Sequence, residues 1–327
     1  MNIDTPPAPS SVSLLAPVLV AANDLLWRHV FSPGSAPGES AIAQREVQSA
    51  VCAVLGSGEL ADHFFPRRPL LMPELHAAMR SERASANRLA KIVAQDPVLV
   101  ADMLRLANSG FYNTSSTPVE TLQRAIAICG NDGLQSLAAT ALMQPVFRGG
   151  KEEVYANFPP LLWERSARAA RAATLYAQHT RCCDYSAAQL VTLLAALGPL
   201  VAFRATVRQY EEAPGLEPHG AVFIALVETL GRSLSQQLAL RWNSSERLVA
   251  ALGIEAEMVA VEGAAELAIA LDCGELFGTL SLLASEQILT EEACRQMLVQ
   301  AGLPREIHET VWAGLLPAHA RQDQPGR

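Results

Sequence analysis

Charge is scarce in this chain. Asp, Glu, Lys and Arg make up 18% of it, and the formal balance is −8. No dense Lys/Arg run occurs, so the basic footprint that neutralises a phosphate backbone is missing and no nucleic-acid partner is expected. Aromatics are few as well, at 6%. The six cysteines, at 52, 129, 182, 183, 273 and 294, contain no Cys-x-x-Cys spacing. Their one close pair is Cys182-Cys183, and neighbours in sequence rarely bridge or build a zinc site, so reduced thiols in a cytoplasm are expected. The chain reads as lacking an uncharged apolar stretch of about 18 residues or more, so membrane insertion is not expected. Residues 1–13 hold Asp4 and several prolines without a basic cluster, unlike a secretory leader. Gly-x-Ser-x-Gly, P-loop and Gly-x-Gly-x-x-Gly patterns are absent, which removes the usual signals of a nucleophile elbow or a nucleotide cradle. The histidines (29, 63, 76, 179, 219, 308 and 319) are scattered, with no His-x-x-x-His pair, and fit surface or capping roles rather than metal ligation.

What is present is aliphatic. Half of the 327 residues are hydrophobic, and Ala and Leu carry most of that content, which favours helix because neither loses much on entering one. No period-two strand pattern and no fixed-length repeat occur. Helices are expected from Ser13 to about Val30 and from Glu39 to Leu55, with Ser32–Gly38 as a loop between them. Asp96-Pro97 pairs a preferred N-cap with a proline at the first helical position, and Thr117-Pro118-Val119-Glu120 forms a capping box. Asn108-Ser109-Gly110 is a helix stop, and Ser109 belongs to that ending rather than to a nucleophile. Gly149-Gly150-Lys151 reads as a hinge.

Beyond it, Pro159-Pro160 opens a long helix reaching about Thr180. Ser186-Ala-Ala-Gln189 looks like another capping box, and Gly198-Pro199 must bend or break the helix it begins. Further helices are expected around 220–242, 245–252, 256–271, 273–285, 290–301 and 304–315. The fold class is therefore all-α, a compact multi-helix bundle. Its expected parts are an extension over 1–65 with frayed first residues, a helical subdomain over 66–150, a second over 151–320, and a tail over 321–327.

The stretch Ile92-Val-Ala-Gln-Asp-Pro-Val-Leu99, followed by Leu104-Arg-Leu-Ala-Asn-Ser109 and Phe111, resembles the HDOD family, an output domain related to HD metal-dependent hydrolases. Pro69-Leu-Leu-Met-Pro73 resembles the family's opening segment, and Ala125-Ile-Ala-Ile-Cys-Gly130 its Ala-Ile-x-x-x-Gly helix. The resemblance is specific over about 66–148 and continues more weakly to about 315. There, Leu162-Trp-Glu-Arg-Ser166 is similar to the helix that starts the HD-like half. Thr192-Leu-Leu-Ala-Ala-Leu-Gly198 is similar to the segment where HD enzymes carry consecutive His and Asp. Arg241-Trp242 resembles a later family tryptophan, without the Leu-Pro that commonly follows it.

HD phosphohydrolases need His and Asp ligands around metal, which activates water and stabilises phosphoryl charge. At the places the resemblance marks, this chain has Arg165, Ala195 and Ala196. Alanine has no donor atom, and a permanent guanidinium repels a cation. The resemblance therefore implies no catalytic residue, no metal and no cofactor. It implies a non-catalytic bacterial regulator that contacts signalling enzymes or regulators, in settings such as cyclic di-GMP, kinase or motility control. Two alternatives stay open: a small-molecule sensor using the vacated pocket, and a phosphohydrolase with a non-standard site. Arg165, Arg168 and Arg171, spaced by three along one helical side, form either a solvated face or a partner surface.

Overall fold

The computed structural model describes residues 12–32, 40–56, 155–213, 215–253 and 260–315, together with Phe64, Ala94, Val100, Leu104, Ala107, Asn108, Val119 and Thr121. All regular structure among these residues is α-helical, as the composition demands. In chain order the helices are α1 (Val12–Phe31), α2 (Ser40–Gly56), α3 (Phe158–Thr180), α4 (Tyr185–Ala195), α5 (Leu197–Glu211), α6 (Gly220–Arg241), α7 (Glu246–Ala251), α8 (Ala264–Ser285), α9 (Glu291–Gln300) and α10 (Arg305–Leu315). The caps expected at Asp96 and Thr117, the hinge at 149–151, the 66–150 subdomain apart from single positions, and the tail all lie outside the described residues.

Local chemistry sets the helix ends. Prolines occupy the first positions of α3, where no amide is needed, and α3 stops at Arg181, whose left-handed backbone donates its N–H to the Ala177 carbonyl at 2.8 Å. The cap of α4 is Asp184 rather than the expected Ser186. Its carboxylate accepts from the Ala187 amide at 2.7 Å, while Ser186 is buried one position inside the helix. The break imposed by Gly198-Pro199 falls earlier than the proline itself, at Ala196 between α4 and α5. Ser235 on α6 repairs it: its hydroxyl donates to the Ala195 carbonyl at 2.8 Å and accepts from the Gly198 amide at 2.9 Å. Two buried backbone groups at the interrupted ladder are thus satisfied from a neighbouring helix.

The expected division at 271–273 does not exist. One helix, α8, runs straight through it. Its glycines are there for packing: a Cβ on Gly274 would stand 2.6 Å from the Ala169 carbonyl oxygen, and one on Gly278 would stand 2.6 Å from the Ala169 nitrogen. The backbones of α3 and α8 therefore approach over glycine on one side and alanine on the other.

Although residues 1–65 fall outside the resemblance, α1 and α2 share the core of the later helices. Phe31 at the end of α1 lies 4.9 Å from the Phe158 ring centroid, 5.4 Å from Phe223 and 5.2 Å from Tyr155. Gln44 on α2 donates to the Glu217 carbonyl at 3.0 Å and accepts from the Tyr210 hydroxyl, which fastens α2 to α5 and to the turn before α6.

The expectation about apolar stretches needs correction. Leu14–Phe31, Tyr185–Glu211 and Ala264–Ser285 are each long and apolar enough to cross a membrane by length and composition alone. Within the second, residues 185–203 carry no Asp, Glu, Lys or Arg. The fold uses this apolarity internally: 89% of the second window and 78% of the third are buried, against 39% of the first. A helix that is hydrophobic all round suits the middle of a bundle as well as it suits lipid.

Candidate functional site

Arg165 enters the interior because α3 presents it towards α8 and α1. Only 2% of the residue is exposed, and its charge is fully engaged. Nε donates to the Thr279 hydroxyl at 2.8 Å, Nη2 to Asn23 Oδ1 at 3.0 Å, and Nη1 pairs with Glu275 Oε1 at 3.4 Å. The guanidinium also lies over the Trp27 ring, 5.5 Å from its centroid. Thr279 in turn donates to Asn23 Oδ1 at 3.1 Å. From Glu275 the network reaches Arg232 on α6, at 4.0 Å, and Arg232 pairs with Asp272. Four helices thus meet on one polar line. Burial pushes the Asp272 carboxyl up against the pull of Arg232. For Arg232, burial works downwards, but Asp272 and Glu275 outweigh it and hold the guanidinium above its ordinary value.

This arrangement corrects the reading of the three arginines as one solvated or docking side. Arg165 is core. Arg168 crosses to the C-terminal end of α8, donating to the Ser281 carbonyl at 2.7 Å and the Ser285 hydroxyl at 3.0 Å, and it pairs with Glu164. Such a contact favours a cation at the negative end of a helix. Arg171 is half-buried. Arg165 and Arg168 therefore knit α3 to α8 before they offer anything to a partner.

Ala195 and Ala196 are both buried where α4 meets α5. Their neighbourhood differs from that of Arg165: Ala195 is bound through Ser235 of α6, whereas Arg165 finds partners on α1 and α8. A cation does not fit these residues. The group at 165 is itself a cation with its carboxylate already taken, and the alanines contribute no ligand atom. Among the described residues no three His, Cys, Asp or Glu side chains converge to hold a metal ion. Of the histidines, His219 caps α6 by accepting from the Ala221 amide at 3.3 Å, and His29 and His179 are exposed. His63, His76 and His319 lie outside the described residues.

The sequence reading missed two features. One is the polar set Asn23, Arg232, Asp272, Glu275 and Thr279, whose signal was single polar residues set into otherwise apolar helices. The other is a groove of about 800 Å³ between α9 and α10, lined by Arg295, Val299, Arg305, His308 and Trp312 among others. Burial pushes the His308 imidazole below its ordinary value, and its Nε2 has no hydrogen-bond partner among the described residues. Asn108 does belong to a hydrogen-bonded ending, as expected. Its Nδ2 donates to the Leu104 carbonyl at 2.8 Å and to the Val119 carbonyl at 2.7 Å, while Val119 N–H donates to Oδ1 at 2.6 Å. Ser109 lies outside the described residues.

Comparison with known proteins adds family and fold. A family model described as the HDOD domain matches residues 65–257. A crystal structure of an HDOD domain protein of unknown function from Geobacter sulfurreducens is similar at a TM-score of 0.54 and 20% identity, over 80% of this chain and 93% of that one. A candidate metal-dependent phosphohydrolase from Shewanella amazonensis is similar at 0.54 and 17% identity, over 84% and 98%. A candidate signal transduction protein from Marinobacter aquaeolei is similar at 0.51 and 20% identity, over 86% and 64%. No curated protein matches the chain.

Proposed function

The chain belongs to the HDOD family, and on that premise we propose that it is a non-catalytic cytoplasmic signalling protein acting through contact with a partner protein. The observation that carries this reading is the state of Arg165. Where the resemblance places a metal ligand, a guanidinium is tied to Asn23, Thr279 and Glu275 and stacked on Trp27. Water activation needs an electrophilic cation or a base with a vacant lone pair, and this position supplies neither. Ala195 and Ala196 add no donor. The likeness to a candidate signal transduction protein agrees with the role. Contact through the arginine series is restricted to Arg168 and Arg171, which are half-buried where Arg165 is core.

The test sets turnover against association. Purified protein is assayed for bound metal by elemental analysis and for hydrolysis of a generic phosphodiester, and variants are tested for complementation of a deletion strain. The expected outcome is no stoichiometric metal, no turnover, and rescue by every folded variant that retains a captured partner. One metal equivalent bound within 155–315, or rescue confined to variants with a measurable catalytic rate, overturns the reading.

A further inference from the structure

Cys182 and Cys183 lie in the short turn between α3 and α4, after Arg181 at a φ of 53° and before the Asp184 cap. Both are half-buried, with their sulfur atoms 3.7 Å apart. Their ionisation is uneven. The Cys182 thiol falls to about 7, chiefly through the hydrogen bond it shares with Cys183, with burial opposing and the Thr180 hydroxyl assisting. Cys183 is pushed up by the same hydrogen bond and by burial, with Asp184 adding to the rise and Arg247 working against it. Glu266 faces Cys182 as a further, unfavourable charge, and the buried Cys273 stands close enough to feel it. Two half-buried sulfurs are therefore held 3.7 Å apart in one turn, with Cys182 inclined towards the thiolate and Cys183 towards the thiol.

We propose that Cys182-Cys183 is a modification site for hydroperoxides, with Cys182 as the oxidised residue and Cys183 as the resolving one. The Cys182 thiolate attacks the distal oxygen of the hydroperoxide. The O–O bond breaks, the alkoxide or hydroxide leaves and takes a proton, and the sulfur is oxidised by two electrons to a sulfenic acid. The Cys183 sulfur then attacks the Cys182 sulfur. An S–S bond forms, the S–O bond breaks, and the hydroxide departs with the Cys183 proton as water. Adjacent Cα atoms are only about 3.8 Å apart, nearer than disulfides prefer, so the bridge is readily reduced by a thiol and both cysteines return. The strain that disqualifies neighbouring cysteines as a structural bridge is what makes this one reversible.

Trypsin cleavage after Arg181 and Arg204 releases one peptide that carries both cysteines and no third. After the folded full-length protein meets one equivalent of hydrogen peroxide at neutral pH, that peptide is expected to lose two hydrogens, and dithiothreitol should restore them. Cys52, which is more exposed, should remain alkylatable. In Cys183→Ala, Cys182 should accumulate a sulfenic acid that a 1,3-diketone traps. Its alkylation at pH 7 should slow roughly three- to five-fold, since the thiolate fraction drops while greater basicity recovers part of the rate. Oxidation of Cys52 ahead of the pair overturns the proposal, as does over-oxidation of Cys182 in the unaltered protein without loss of two hydrogens. The unaltered peptide decides the matter even if Cys183→Ala does not fold.

Discussion

Arg165 must keep its charge at a position where water cannot reach it, so everything depends on its acceptors. Three side chains and one aromatic face supply them, on two helices other than its own. Replacing Arg165 with Met fills the volume but leaves Glu275 and Thr279 facing an apolar chain, and breaking a buried pair from one side costs about 3–5 kcal/mol. The expected outcome is a urea midpoint lowered by that free energy divided by the slope, with the slope itself unchanged; an unmoved midpoint would show that the network contributes nothing. Arg165→Lys should recover only part of the loss, because one ammonium cannot reach acceptors arranged for a planar fork. None of this was legible in the sequence. Position 165 was visible as a missing ligand, yet its partners at 23, 275 and 279 are brought to it by packing alone, and spacing along α3 pointed instead to a solvated row with Arg168 and Arg171.

Helices were legible where composition and caps agreed and misread where a residue served packing. The Pro159-Pro160 start and the start of the helix expected from about 290 needed only local chemistry, and both fall where the sequence puts them; Thr290 caps the second by accepting from the Ala293 amide at 3.2 Å. A division was expected at 271–273, but Gly274 and Gly278 just beyond it serve packing, and their reason lies across the interface at Ala169 and Ala173. Gly278→Ala puts a methyl group against the Ala169 backbone, which cannot rotate away as a side chain can. Forcing the helices apart should cost about 1–3 kcal/mol in spite of the better helix propensity of alanine. Chemical denaturation measures it, and a stabilised Gly278→Ala protein would show that the two helices are not in tight contact there.

At the scale of the molecule, the family match begins at residue 65 but the core does not. The rings of Phe31, Phe158, Phe203 and Phe223 pack as one cluster, so α1 is a wall of the interior. Phe31→Ala should lower stability by about 3–5 kcal/mol through lost burial and the cavity left behind. A chain beginning at residue 65 should expose Phe158 and Phe223, bind a hydrophobic dye and aggregate; a cooperative unfolding transition in that truncated chain would show the first helices to be dispensable. Phe223 lies 192 residues after Phe31 in the chain, which at about 5–20 residues per second means Phe31 is synthesised roughly 10–40 s before the last of its aromatic partners. During that interval the cluster lacks the ring that closes it, so the apolar face of Phe31 stays open on the side Phe223 will fill, and a holdase chaperone is the natural attendant of the nascent protein.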